Sequence, residues 1–114
     1  MYDIRWDEGA KDDMRRAGLR AYEVRQIVDA VDEQLAHEPA RQSKRKKIIR
    51  PDQRLPFEHL EPVWQLRVGD FRIFYDVVDV DESRQEGEEK VYQGVVSVRA
   101  VRRKPGHKTT EEIL

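Results

Sequence analysis

The chain has 114 residues, a formal net charge of −1 and no cysteine, so disulfides, zinc–thiolate sites and thiol catalysis are excluded. Hydrophobic residues make up 38% and charged residues 39%, enough for one domain with a modest core and little apolar surface beyond it. No run is long enough to cross a bilayer, and Met1 to Trp6 lacks the apolar stretch of a secretory signal; a single cytoplasmic domain, residues 1–114, is expected.

In chain order, Tyr2 to Trp6 alternates as a short strand does. Asp7 is placed as a helix N-cap with Glu8 in the first turn, Ala10, Met14 and Ala17 follow at helical spacing, and Gly18 offers a stop. Val24, Ile27, Val28, Val31 and Leu35 form one apolar stripe, which predicts a second helix from about Arg20 to His37, closed by Pro39. His37 falls in its last turn, where a capping role fits better than catalysis. Arg41 to Pro62 reads as a long polar connection anchored at Ile48 and Ile49. Strand patterns then cover Val63 to Val68, Phe71 to Val80 and Tyr92 to Arg102, with Asp81 to Lys90 as an exposed, mobile loop. The expected fold is α+β, two N-terminal helices packed on an antiparallel sheet in the order β-α-α-β-β-β.

Charge is segregated along this order. Arg41, Lys44, Arg45, Lys46, Lys47, Arg50 and Arg54 face only Asp52 in their segment; Arg99, Arg102, Arg103, Lys104 and Lys108 have no acid among them. Patches of this kind focus a field on a polyanion even in a nearly neutral molecule. The competing reading is a set of solvated loops.

The hairpin is the most determined element. Gly69-Asp70 is a two-residue turn with glycine first, the type II′ pattern. It sets Arg67 opposite Arg72, Leu66 opposite Ile73 and Trp64 opposite Tyr75. One face then carries Trp64, Leu66, Val68, Phe71, Ile73 and Tyr75 and should meet the helices; the other, mainly polar, carries Val63, Gln65, Arg67, Arg72, Phe74 and Asp76. Arg67 against Arg72 is a like-charge cross-strand pair, unfavourable unless something offsets it. A phosphate between the two forks would do so; Asp76 or another acid is the alternative. In the last strand Val96, Val98 and Ala100 alternate with Ser97, Arg99 and Val101, which opens a place for Arg99 on the polar face.

The string from Trp64 to Tyr75, with Val96 to Val101 and the basic residues behind it, resembles the RelE/ParE superfamily of toxins from type II toxin–antitoxin modules. The resemblance implies a cognate antitoxin and, in the RelE-like branch, a metal-free, cofactor-free endoribonuclease that cuts mRNA on the ribosome. On that reading Arg72 and Arg67 stabilise the phosphorane charge and His107 transfers a proton. Lys46, Lys47, Arg103, Lys104 and Lys108 would contact RNA phosphate. His59 is a further acid–base candidate. The lysines that some members carry before the Leu-Arg pair are replaced by Val63 and Gln65, and no tyrosine follows the last strand. The alternatives are a ParE-like gyrase inhibitor acting by protein contacts and a degenerate, non-toxic binding module.

Overall fold

A computed structural model describes residues 1–80 and 92–114. The loop expected from Asp81 to Lys90 lies outside the described residues. Eight elements follow in order: β1 (Tyr2–Trp6), α1 (Glu8–Arg16), α2 (Ala21–Leu35), β2 (Lys46–Ile48), β3 (Trp64–Val68), β4 (Phe71–Asp79), β5 (Gly94–Arg103) and α3 (Thr110–Ile113). The five strands form one sheet in the order β1-β5-β4-β3-β2.

The α+β fold with two N-terminal helices matches the reading of the sequence. The sheet, however, is mixed rather than antiparallel throughout. The first strand lies beside the last in the same direction, Tyr2 opposite Gly94 and Trp6 opposite Val98. The chain leaves β1 through α1 and α2, which cover one face, and reaches β5 only after three more strands. A strand also forms inside the basic connection, where Lys46 pairs with Leu66 and Ile48 with Trp64.

The helices bury the stripes the spacing dictates. Ala10 of α1 and Ile27, Val31 and Leu35 of α2 pack on Trp64, Leu66, Ile73, Tyr75, Val96, Val98 and Val101. Tyr75 donates its hydroxyl to the carbonyl of Pro39 at 2.6 Å, and burial pushes its phenol up from the ordinary value. α1 starts after Asp7, but the Asp7 carboxylate makes no cap bond and goes to Arg99 instead. Beyond the end of β1, α1 runs along the open edge of β5, where Asp13 accepts from the backbone N–H of Val101 at 2.9 Å.

The second sheet face, expected to be mainly polar, carries a core of its own. Ile49, Val63, Phe74 and Ala100 form a smaller buried cluster, covered by Leu55, Phe57, Ile113 and Leu114. Residues 49–62, the second half of the polar connection, and the C-terminal residues roof this face because Val63 and Phe74 project into it. The register of β5 explains Ala100. Phe74 faces Ala100 while Tyr75 faces Val98, so Arg99 is the extra residue of a bulge. The alternation therefore changes phase, with Val101 joining Val96 and Val98 under the helices.

Candidate functional site

The hairpin forms in the expected register, Val68 opposite Phe71 and Arg67 opposite Arg72. Gly69 has φ +56° and no non-glycine residue among those described has positive φ, in keeping with a turn that requires it only at its first position. Arg72 folds back over this turn, donating Nη1 to the carbonyls of Gly69 at 2.9 Å and Phe71 at 2.8 Å. It is 9% exposed, and desolvation, then Arg67, lowers its pKa from the ordinary guanidinium value while Asp70 opposes the change. Arg67 is exposed and forms no ion pair among the described residues.

Two other segments bring cations to this pair. The backbone N–H of Lys104 donates to Asp70 at 2.6 Å, which seats the residue after β5 beside the turn. Arg67 donates its backbone N–H to Arg45 at 2.8 Å, so the start of β2 lies alongside. A turn at Ser43, whose Oγ accepts from the N–H groups of Arg45 at 3.3 Å and Lys46 at 3.2 Å, holds Lys44 and Arg45 at the rim. The result is a cleft of about 270 Å³ whose basic lining is Lys44, Arg45, Lys46, Lys47, Arg67, Arg72 and Lys104. Ser43, Gln65 and Thr110 complete it, with the Thr110 hydroxyl donating to Gln65 Oε1 at 2.9 Å.

A larger cleft of about 550 Å³ lies across the same face, lined by Asp7, Asp12, Asp13, Glu58, Arg99 and Arg102 among others. Its two β-strand arginines are spent on carboxylates. Arg99 binds Asp76 through two contacts at 2.8 and 3.2 Å and Asp7 at 2.7 Å, and these partners hold its pKa above the ordinary arginine value, Asp76 most strongly. Arg102 stands opposite Arg72 but pairs with Asp13. The row Arg67–Arg72–Arg102 is thus neutralised at one end and open at the other.

A family profile described as ParE toxin of type II toxin-antitoxin system, parDE, matches residues 4–104. The chain belongs to the ParE toxin family. No curated protein and no solved structure gives a significant match. Membership of this family makes the protein a type II toxin and implies an antitoxin partner. Among the described residues no helix is long and apolar enough to cross a membrane, and no cluster of three or more His, Asp or Glu side chains could hold a metal ion.

Of the residues singled out from sequence, this ParE-family chain brings Arg67, Arg72, Lys47 and Lys104 to one cleft. Lys46 reaches the cleft wall, but its ammonium does not: Nζ donates to the carbonyls of Gln34 at 3.2 Å and Glu38 at 2.8 Å, at the end of α2. Its place opposite Leu66 turns the side chain to the helix face. Burial lowers its pKa from the ordinary lysine value. It also supplies the cation at the helix terminus that the sequence assigned to His37, which is exposed and lies beyond the last turn. Arg103 lies opposite Phe71 and shares the helix face; its guanidinium stands 4.7 Å from the Phe71 ring and 3.2 Å from Glu23. His107 and Lys108 are exposed and do not line the cleft. His59 is tied to the Phe57 carbonyl at 2.9 Å and to Glu61 at 3.1 Å and does not line the cleft. Asp76, the alternative neutraliser of the arginine pair, is engaged by Arg99. Gln65 and Thr110 were not singled out as site residues; the position of Gln65 on the arginine face was the available signal for one of them.

Proposed function

We propose that this type II toxin acts by binding its target through the basic cleft, in the manner of a gyrase inhibitor, rather than by cutting RNA. The observation that carries the reading is the composition of the cleft wall. General acid–base catalysis on a ribose 2′-OH needs a proton-transfer group within hydrogen-bond reach of the reacting atoms. Beside its lysines and arginines the wall offers Ser43, Gln65 and Thr110, and among the described residues no imidazole, carboxylate or phenol lines it. The Ser43 hydroxyl accepts from backbone N–H groups, and the Thr110 hydroxyl donates to Gln65. His107, the residue proposed for proton transfer, stands outside, and Arg103 turns to the opposite face. What remains is a concentrated positive field suited to docking and to rapid, salt-sensitive association. The antitoxin would then neutralise the protein by covering this cleft.

Induced expression tests the reading, with plasmid supercoiling by purified gyrase measured alongside mRNA 5′-end mapping. Growth arrest with inhibited supercoiling and unchanged mRNA ends is expected. The double variant Arg67→Glu, Lys104→Glu should lose both effects. Discrete new mRNA ends on translating ribosomes, with supercoiling untouched, would overturn it.

A further inference from the structure

We infer that the cleft is a seat for the phosphodiester backbone of a polynucleotide, bound without regard to base sequence. The inference deepens the reading above and rests on it only for the location of the target-binding surface.

Three observations converge. Lys44, Arg45, Lys47, Arg67, Arg72 and Lys104 line the cleft without an acid in its wall, and none of the six has an ion pair among the described residues, although Asp70 acts on Arg72 and Glu111 lies in the field of Lys47. The two β5 arginines of the same face are treated differently, since Arg99 and Arg102 are matched to carboxylates. Second, Arg72 is more than nine-tenths buried at the cleft wall, yet only Nη1 has acceptors among the described residues, the carbonyls of Gly69 and Phe71. Its other donor nitrogens are held by a locked side chain, opposite a second guanidinium, with the desolvation cost already incurred. An oxyanion there receives a preorganised fork and relieves the repulsion between Arg67 and Arg72.

The third observation is extent. Arg67 on β3 faces Arg72 on β4, and Lys47 on β2, opposite Gln65, stands diagonal to Arg67, so the cations cross three successive strands spaced roughly 5 Å apart. Lys104 continues the field past the turn, and Lys44 and Arg45 continue it past β2. One phosphate or one carboxylate leaves most of this charge unmatched, whereas a polynucleotide presents an anion at every residue. Among the described residues no aromatic side chain lines the cleft as a base-stacking platform, which leaves the backbone as the group recognised.

The test is fluorescence anisotropy of labelled single-stranded and duplex DNA oligonucleotides of two unrelated sequences, titrated with the full-length protein across a salt series. Binding is expected for both sequences, weakening with salt at a slope equivalent to roughly three to five phosphates. Arg67→Gln, which removes no hydrogen bond or ion pair of the described fold, should reduce affinity about tenfold and lower the slope by about one. Arg72→Lys keeps the charge without the planar fork and should also lose about tenfold. Arg5→Gln makes the same change of net charge on β1, far along the sheet from the cleft, and should leave both quantities unchanged. Equal losses in Arg67→Gln and Arg5→Gln would overturn the assignment. So would polyglutamate competing as well as DNA, which would make the seat one for an acidic peptide. Binding of inorganic phosphate with none of the oligonucleotides would overturn it as well. Oligonucleotide binding without gyrase inhibition would overturn the proposed function and leave this inference standing, and the reverse result would do the opposite.

Discussion

Arg99 shows how a single inserted residue decides the electrostatics of a whole face. Because it is the extra residue of the β5 bulge, it has no partner across the ladder, and its side chain joins Asp76 on β4 to Asp7 at the start of α1. Asp76 is 1% exposed, and the Oδ2 that accepts from Arg99 Nε also takes the backbone N–H of Leu60 at 2.9 Å, so the same carboxylate also ties down the roof segment. Removing one partner of a buried pair leaves the other charge desolvated, which typically costs about 3–5 kcal/mol. Asp76→Asn should therefore destabilise the fold by about 3 kcal/mol in urea unfolding, with Asp7 keeping the loss towards the lower end. A loss under about 1 kcal/mol would mean the pair behaves like a surface contact. This occupation of Asp76 is also why the Arg67–Arg72 pair keeps its charge. The alternation Val96-Ser97-Val98-Arg99-Ala100-Val101 conceals the bulge, because it reads as an unbroken strand; the adjacent apolar pair Ala100-Val101 is the trace it leaves.

At the scale of elements, the hairpin was legible and its neighbour β2 was not, for physical reasons. A two-residue turn fixes register, and both strands sort their side chains consistently under it, so the residues of β3 and β4 constrain each other. β2 has three residues, Lys46-Lys47-Ile48, with no alternation long enough to read, and tertiary contacts define it. Ile49 donates to the carbonyl of Val63 at 2.8 Å, Arg45 accepts from Arg67, and the Lys46 ammonium caps the end of α2. Lysine at an edge position also discourages strand addition from outside. The cleft was partly legible for the same reason: Arg67 and Arg72 follow from the hairpin, Lys47 and Lys104 from charge alone, while the helix-facing turn of Lys46 and Arg103 needed the registers of β2 and β5. Lys46→Met should strand the Gln34 carbonyl in the last turn of α2 and the Glu38 carbonyl just beyond it, at a cost of about 1–3 kcal/mol. The damage should be local, with faster hydrogen exchange at the amides of Ile49 and Arg67 and little change at those of β4. Uniform acceleration across the sheet would show that β2 is not separately anchored.

For the molecule as a whole, the sheet is roofed on both sides by unequal covers. The helices supply the larger core; the smaller one depends on residues 49–62 and on the C-terminal residues. Those last residues contribute two half-buried apolar side chains, Ile113 and Leu114, and the buried bond from Thr110 to Gln65. The contact between Glu111 and Arg50 at 3.8 Å is exposed and contributes little. Partial burial of two aliphatic side chains and one hydrogen bond amount to roughly 2–4 kcal/mol. That is less than the 5–15 kcal/mol typical of a folded domain. Deleting residues 110–114 should therefore lower the melting temperature and raise binding of an apolar dye at the uncovered Val63, Phe74 and Ala100, while far-ultraviolet circular dichroism stays close to that of the full chain. The basic cleft would lose Thr110 from its wall and keep all of its cations, so oligonucleotide affinity should change less than twofold. Collapse of the whole sheet on this deletion would show instead that the C-terminal residues hold both cores together, and that the cleft depends on them for its shape.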